Sequence, residues 1–538
     1  MIGADAVVKS LELEGVKYVF GYPGVAICPF YNSILDSDIK TILIRTEQNA
    51  AHAASGLART TGEVGVCAVT SGPGATNVIT GIATAFADSI PLVVITGQVN
   101  SELLGSDVFQ EADITGAVES FVKYSYLVRD VNDIPRIMKE AFLIANTGRK
   151  GPVLIDIPID IQNAEIKKFE YPENVSLRTY KPTVKGNMAQ IKKCCEKLKT
   201  AKRPIICVGG GVHLADAKNL VKEFSHKHNI PVVSTMMGIG VMPTMDDLYF
   251  GMVGNNGKPY ANKAMNDADI IMMVGARVAD RAISQPDLVM NNTTLIHIDV
   301  DPAEIGKNAM ATIPIVGDAK AIFEDLLSIE FESDYSDWVS LLGDHKNHMK
   351  IKRNPNPQYV DPAKFIMDLS KKMKDDAVYV ADVGQNQIWS CSYHIVKEGK
   401  FLTSGGMGTM GYSIPAAMGA KLGDMSKQVI AVCGDGSFQM SMMELATIKQ
   451  HNIPVKIIVL KNNYLGMVRE YQHYTYKDNY SVVDLSGSPD LELLAKAYDI
   501  KFLRLNNMDN ESEIIEEFLK NDESILLECI IDPMDLVK

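Results

Sequence analysis

The residues best placed to do chemistry in this chain are Gly434-Asp435-Gly436-Ser437 and, one helix and one strand later, Lys461-Asn462-Asn463. One carboxylate and one side-chain amide oxygen suit Mg²⁺, a hard cation that keeps few protein ligands and shares its shell with phosphate oxygens. Gly434 and Gly436 let the backbone approach an anion closely. The two elements together read as a place to hold a metal ion and a diphosphate, with either asparagine as the second ligand. The bland alternative is a tight turn before a capped helix in an ordinary βαβ unit. The flanking sequence favours the first reading. Residues 428–433 and 455–460 are apolar, β-branched runs of strand length. Between them, residues 441–451 carry Met442, Leu445, Ala446 and Lys449 at helical spacing. Asp435 and Asn462 are thereby placed at the carboxyl ends of two parallel strands, where open α/β sheets bind ligands.

Other candidates lie far from this motif. Glu47 falls where a strand over 41–44 gives way to an alanine-rich helix. A carboxylate there either complements the helix N-terminus or hydrogen-bonds a ligand ring nitrogen and moves a proton. His52, one turn on, reads as a packing histidine. Thr70-Ser-Gly-Pro-Gly-Ala-Thr-Asn77 follows a strand and opens a helix, which suits an anion, a carbonyl or a structural turn. Phe109-Gln110-Glu111 has no generic meaning by composition. Gly209-Gly-Gly211, Gly275-Ala-Arg277 and Asp299-Val-Asp301 each stand near a strand end. None fits the GxGxxG fingerprint, yet together they suggest an extended, phosphate-bearing ligand.

Strands that alternate with helices must carry all of these residues. The first block, residues 1–165, offers strands at 18–20, 41–44, 64–69, 91–95 and 153–157. The second, 187–345, offers strands at 204–208, 270–274 and 294–298. The third, 363–538, contains the opening motif. Polar, proline-bearing stretches at 165–186 and 346–362 read as linkers. The first and third blocks look like copies of one architecture. A net charge of −13 argues against a nucleic-acid footprint. The eight cysteines form no ligand-like spacing and read as buried thiols in a reducing compartment. No apolar stretch reaches the roughly 18 residues of a membrane span, and no secretory leader is visible, so a cytoplasmic location is expected.

The motifs together resemble the catalytic (large) subunits of the acetolactate synthase family, thiamine diphosphate enzymes of branched-chain amino acid synthesis. The likeness runs through Phe20-Gly-Tyr-Pro-Gly24, Glu47-Gln48, the 69–77 stretch, Phe109-Gln-Glu-Ala-Asp113, Gly151-Pro-Val-Leu-Ile-Asp156, Asp299-Val-Asp-Pro-Ala-Glu-Ile-Gly306, Val383-Gly-Gln385, Gly434-Asp-Gly-Ser-Phe438 and Leu465-Gly-Met-Val468. The resemblance implies three doubly wound parallel-sheet α/β domains: pyrimidine-binding (1–165), FAD-binding (187–345) and diphosphate- and Mg-binding (363–538). It implies Mg²⁺ on Asp435, Asn462 and the Tyr464 carbonyl. Thiamine diphosphate would meet Gln385, Asn386, Gly408, Gly434, Gly436, Ser437, Leu465, Gly466 and Met467, with Met410 propping it into its bent shape. Glu47 would act on its pyrimidine ring, and Phe109 and Gln110 would lie near the substrates. FAD, required without net redox chemistry, would meet Arg149, Gly209, Gly210, Thr235, Gly254, Gly275, Arg277, Asp299 and Asp318.

The implied reaction decarboxylates pyruvate on thiamine diphosphate, whose thiazolium is the electron sink. The hydroxyethyl carbanion then attacks a second 2-keto acid, pyruvate or 2-ketobutyrate, on the way to valine, leucine and isoleucine. Implied partners are a second copy of the chain in a homodimer or tetramer, with the active site at the interface, and a small regulatory subunit; nucleic acid and membrane are not expected. The chain departs from the family's pattern at Thr46, Ile159, Asn255-Asn256, Asn386, Lys461 and Tyr471, and in a short stretch after residue 532. The alternatives are a related pyruvate oxidase or carboligase, or a non-catalytic paralogue.

Overall fold

A computed structural model describes residues 1–283, 293–349 and 353–537. Three six-stranded sheets follow one another along the chain among the described residues. The first contains β1 (Tyr18–Tyr22), β2 (Lys40–Leu43), β3 (Gly65–Val69), β4 (Leu92–Gln98), β5 (Tyr124–Leu127) and β6 (Pro152–Pro158), in the order β2-β1-β3-β4-β6-β5. The second contains β7 (Pro204–Val208), β8 (Val232–Ser234), β9 (Tyr249–Met252), β10 (Ile270–Val274), β11 (Thr294–Asp299) and β12 (Ile313–Val316), in the order β12-β11-β10-β7-β8-β9. The third contains β13 (Val378–Ala381), β14 (Lys400–Thr403), β15 (Val429–Gly434), β16 (Lys456–Lys461), β17 (Lys501–Leu505) and β18 (Ile525–Ile530), in the order β14-β13-β15-β16-β18-β17. All strand pairs in these sheets are parallel. Parallel sheets need helical crossovers and bury both faces, which is why their strands are continuous apolar runs.

The first and third sheets have the same order, as their sequences suggested. Each has a switch point, where connections leave in opposite directions: between β1 and β3, between β7 and β10, and between β13 and β15. These crevices are the natural ligand sites of doubly wound sheets.

One core joins the first and third sheets. The helix Glu47–Thr61 packs across the helix Ser413–Gly423, and Ala50, Ala53, Ala54, Ala416, Ala417 and Ala420 all belong to that core. Small side chains let the helix backbones approach closely. A Cβ on Gly419 would stand 1.7 Å from the Ala53 carbonyl oxygen, and one on Gly56 1.9 Å from that of Ala416. Arg59 adds a hydrogen bond to the Thr403 carbonyl at 2.7 Å. The second sheet encloses its own core.

Several expectations are refined. The strands at 204–208 and 270–274 match β7 and β10 residue for residue. The helix expected over 441–451 starts at Glu444 and runs to His451, and a first helix, Asp435–Ser441, precedes it where none was expected. The first starts on the motif itself, because Ser437 Oγ accepts from Gly434 N–H at 3.1 Å and closes the first turn. The stretch 165–186 is pinned rather than free: Phe169, Tyr171, Leu177 and Tyr180 pack against the first sheet's outer core, and Tyr171 donates to Glu14 at 2.7 Å. Of the polar stretch 346–362, residues 350–352 lie outside the described residues. Seven cysteines are buried and Cys28 is exposed. No helix among the described residues is long and apolar enough to cross a membrane.

Candidate functional site

The switch point between β13 and β15 opens a pocket lined by Val383, Gly384, Gln385, Asn386, Met410, Gly434, Asp435, Gly436, Ser437, Asn462, Tyr464, Leu465, Gly466 and Met467, among others. All three residues expected to hold Mg²⁺ are in this wall. The thiamine diphosphate residues join them with two exceptions, Gly408 and Glu47. Gly408 sits two residues before Met410, at φ +70°, and is not part of the wall.

Asp435 is buried, with 4% of its surface exposed. Its Oδ2 accepts from Asn463 N–H at 2.6 Å and its Oδ1 from Gly436 N–H at 3.0 Å. Burial pushes its pKa up to about 6; these hydrogen bonds, and more weakly the Lys461 ammonium, oppose the shift. A buried carboxylate held in place yet short of counter-charge is suited to a cation. Each oxygen keeps a lone pair for a metal. Asn462 is held by two bonds: Oδ1 accepts from Tyr464 N–H at 3.0 Å, and Nδ2 donates to Gln385 Oε1 at 3.3 Å. Asn386 Oδ1 is buried without a protein partner, as expected of an acceptor that meets a ligand or metal-bound water. Among the described residues, no three His, Cys, Asp or Glu side chains converge on a metal site. The oxygen set of Asp435, Asn462 and the Tyr464 carbonyl therefore fits an ion that completes its shell with phosphate and water.

Supporting residues that sequence reading missed surround this wall. Asp382, at the end of β13, is fully buried and accepts from the N–H groups of Val383, Gly411 and Ser413 at 2.8–2.9 Å. It fixes the turn that carries Met410. Glu470 accepts from Gln385 Nε2 at 2.9 Å and from Val537 N–H at 3.0 Å. Arg469, between the rings of Tyr464 and Tyr480, donates to the Pro533 carbonyl at 2.7 Å. Residues 533–537 thus already lie over the Gln385 end of the pocket. The only local signal for Asp382 was its place just before Val383-Gly-Gln385.

Glu47, Phe109 and Gln110 form a separate group at the first sheet's switch point. Glu47 is the first residue of its helix, and its Oε2 accepts from Asn77 Nδ2 at 3.0 Å. Gln110, in the left-handed region at φ +60°, packs against Gly72. Phe109 is 86% exposed. None of the three lines the Asp435 pocket within one chain. His52 is a packing residue: it is fully buried, meets the Tyr412 ring edge-on at 5.3 Å, and burial lowers its pKa to about 3.

The second switch point opens a cavity of about 550 Å³ between all three domains. Its wall includes Arg149, Gly210, Thr235, Gly275, Arg277, Asp299 and Asp318, together with Asn255 and Asn256. Gly209 and Gly254 are absent from it and serve close packing. A Cβ on Gly209 would meet the Gly275 carbonyl oxygen at 2.3 Å, and one on Gly254 the Arg281 oxygen at 1.9 Å. Arginines suit phosphates and a carboxylate suits ribose hydroxyls. Arg149 is meanwhile held by Asp301 at 3.2 Å and Glu304 at 3.3 Å. Asp299 is pushed up to about 6 by burial. Asp318 caps the helix Ala319–Ser328 by accepting from Lys320 N–H at 2.9 Å. Met467 stands in the wall of both cavities.

Two matched parallel sheets, one with an Asp–Asn oxygen pair in its crevice, fit the class of thiamine pyrophosphate enzymes. Family models of these enzymes match in three parts: the N-terminal TPP-binding domain over residues 1–117, the central domain over 191–326 and the C-terminal TPP-binding domain over 382–529. The chain is 41% identical over 545 residues to the acetolactate synthase large subunit of Haemophilus influenzae, covering 99% of this chain and 95% of that one. It is 40% identical over 538 residues to the acetolactate synthase large subunit of Lactococcus lactis, covering 99% and 93%. It is 41% identical over 543 residues to the acetolactate synthase isozyme 3 large subunit of Escherichia coli, covering 98% and 95%. The chain belongs to the acetolactate synthase large-subunit family and is a thiamine pyrophosphate-dependent enzyme of that type.

Proposed function

We propose that this chain takes pyruvate, removes its carboxyl group as CO₂ and joins the remaining two-carbon unit to a second 2-keto acid, pyruvate or 2-ketobutyrate. The observation that carries the reading is the buried Asp435 carboxylate in the β13/β15 crevice, beside Asn462 and the Tyr464 carbonyl. These three would hold Mg²⁺ against the cofactor's diphosphate, while Gln385 and Ser437 line the same wall. Bound thiamine diphosphate supplies the electron sink for decarboxylation. Met410, clamped through Asp382, would set the bend of that cofactor. Glu47 would hold and move the proton at a pyrimidine ring nitrogen.

Glu47 lies outside the Asp435 pocket of its own chain, so we place it in the site of a second copy. Large apolar side chains left uncovered on both groups, Phe109 with Glu47 and Tyr471 and Val482 near the diphosphate pocket, support that pairing. We assign the 550 Å³ cavity to FAD, with Arg149 and Arg277 toward phosphates and Asp299 toward a ribose. A small regulatory subunit and a cytoplasmic setting complete the proposal; the relatives are named large subunits. The test is incubation with pyruvate, thiamine diphosphate, Mg²⁺ and FAD. Formation of 2-acetolactate, lost in Glu47→Gln, is the expected result. No 2-acetolactate from flavin-loaded protein would overturn the reading, and flavin reduction by pyruvate without oxygen would point to an oxidase instead.

A further inference from the structure

The corner that carries Glu47 is held from another domain. Between β2 and the helix Glu47–Thr61, the chain lies along the helix Glu444–His451 of the third sheet. Leu43 N–H donates to His451 Nε2 at 3.2 Å, and its carbonyl lies 3.1 Å from Thr447 Oγ1. The Arg45 guanidinium donates to Gln450 Oε1 at 2.6 Å. At the centre is Glu444, 0% exposed. Its carboxylate accepts from Arg45 N–H at 3.0 and 3.3 Å, from Asn49 Nδ2 at 2.9 Å and from Thr447 Oγ1 at 2.6 Å. Burial raises its pKa against these bonds.

We infer that Glu444 is a positioning residue for Glu47: by gripping the chain on both sides of it, Glu444 fixes the strand-to-helix corner and aims the Glu47 carboxylate. This rests on the role proposed for Glu47 above. Arg45 and Asn49 stand two residues before and two after Glu47. Thr46, the N-cap, is extended at φ −152° and makes no side-chain capping bond. The corner therefore lacks the usual local lock, and the grip from Glu444 takes its place. Burying a carboxylate is unfavourable unless its donors are specific, so the three donors define one geometry. Proton transfer demands such definition, since a misplacement of about 1 Å lowers a rate about 100-fold. Only Met442 and Met443 separate this helix from the one that begins at Asp435. The grip thus ties Glu47 to the metal-bearing element of its own chain.

The test compares Glu444→Ala, Glu444→Gln and Glu47→Gln, singly and combined, in full-length protein loaded with thiamine diphosphate, Mg²⁺ and FAD. Glu444→Ala is expected to lower kcat for 2-acetolactate formation about 10–100-fold at unchanged KM. Glu444→Gln should retain most activity, because its amide oxygen still accepts from Arg45 N–H and the Asn49 amide can turn to suit. In the Glu47→Gln background, Glu444→Ala should cost nothing further. In cofactor-free protein, hydrogen exchange over residues 43–49 should rise in Glu444→Ala and stay slow in Glu444→Gln. Additive losses in the double variant, or unchanged exchange at Arg45, would overturn the inference. If Glu444→Ala does not fold, Thr447→Val, which removes one donor, should give the same pattern at smaller size; full activity with unchanged exchange would refute it. A fully active Glu47→Gln would refute the proposed role of Glu47, while the exchange result would still report whether Glu444 holds the corner.

Discussion

The first and third sheets share one strand order and one switch-point geometry, yet differ in what stands there. At the β13/β15 crevice a buried carboxylate, side-chain amides and several glycines line one pocket. At the β1/β3 crevice a half-buried glutamate begins a helix and an exposed phenylalanine projects nearby. The comparison teaches that the topology fixes where a ligand can sit, while a handful of side chains decides which part of it is recognised. Within one chain the Asp435 pocket does not include Glu47, Phe109 or Gln110. On the function proposed above, one crevice would hold a cation against a diphosphate and the other would supply a proton carrier for a ring.

The largest way to test that contrast is to empty the third crevice. Asp435→Ala should abolish retention of thiamine diphosphate at micromolar Mg²⁺ and lower 2-acetolactate formation by about 10³-fold or more, the rate equivalent of about 4 kcal/mol. Cofactor titration by tryptophan fluorescence, with the rate on the same sample, reads both. Emptying the first crevice should look different. Glu47→Gln should lower kcat by about 10²–10⁴-fold while cofactor affinity and melting temperature stay near wild type. A large loss of cofactor affinity in that variant would erase the division of labour.

A third change strikes what joins the two domains. Gly419→Ala places a methyl 1.7 Å from the Ala53 carbonyl oxygen, so the helix crossing must open, at a cost of about 1–3 kcal/mol seen as a lower melting temperature. An unchanged transition would mean that the interface is more pliant than its packing indicates.

The smallest predicted effect is on pH. The folded-state pKa of Asp435 is raised to about 6, above its unfolded value of about 3.9. The cofactor-free fold therefore gains stability from this group as pH falls through about 6, complete below about 4, and loses it as pH rises again. Metal binding runs the other way, because the cation competes with the proton. Mg²⁺ affinity should weaken by up to about tenfold per pH unit below about 6. Isothermal titration in Asp435→Asn should show that dependence removed.

Much of this was legible in the sequence. Central strands such as β7 and β10 were, because both faces are buried and the apolar run ends where the strand ends. β5, β9 and β12 were not: they are short edge strands, and residues such as Tyr124 and Pro314 remain exposed, which blurs the pattern. The helix at Asp435 was hidden because glycine and aspartate are weak helix formers, and the Ser437–Gly434 bond that nucleates it is not a periodic signal. Asp435 and Asn462 were legible from spacing and chemistry. Asp382, Glu444 and Glu470 were not, because their roles come from donors brought in by distant segments.

Met467 belongs to the walls of both the Asp435 pocket and the large interdomain cavity. A thioether on a flexible chain adjusts readily to either side. On the assignment proposed above, thiamine diphosphate on one side of Met467 and FAD on the other would form a single thermodynamic system. Whatever factor the first occupant changes the affinity of the second by, the second must return to the first. The order in which the two are added then alters how fast the protein fills, but not the state it reaches.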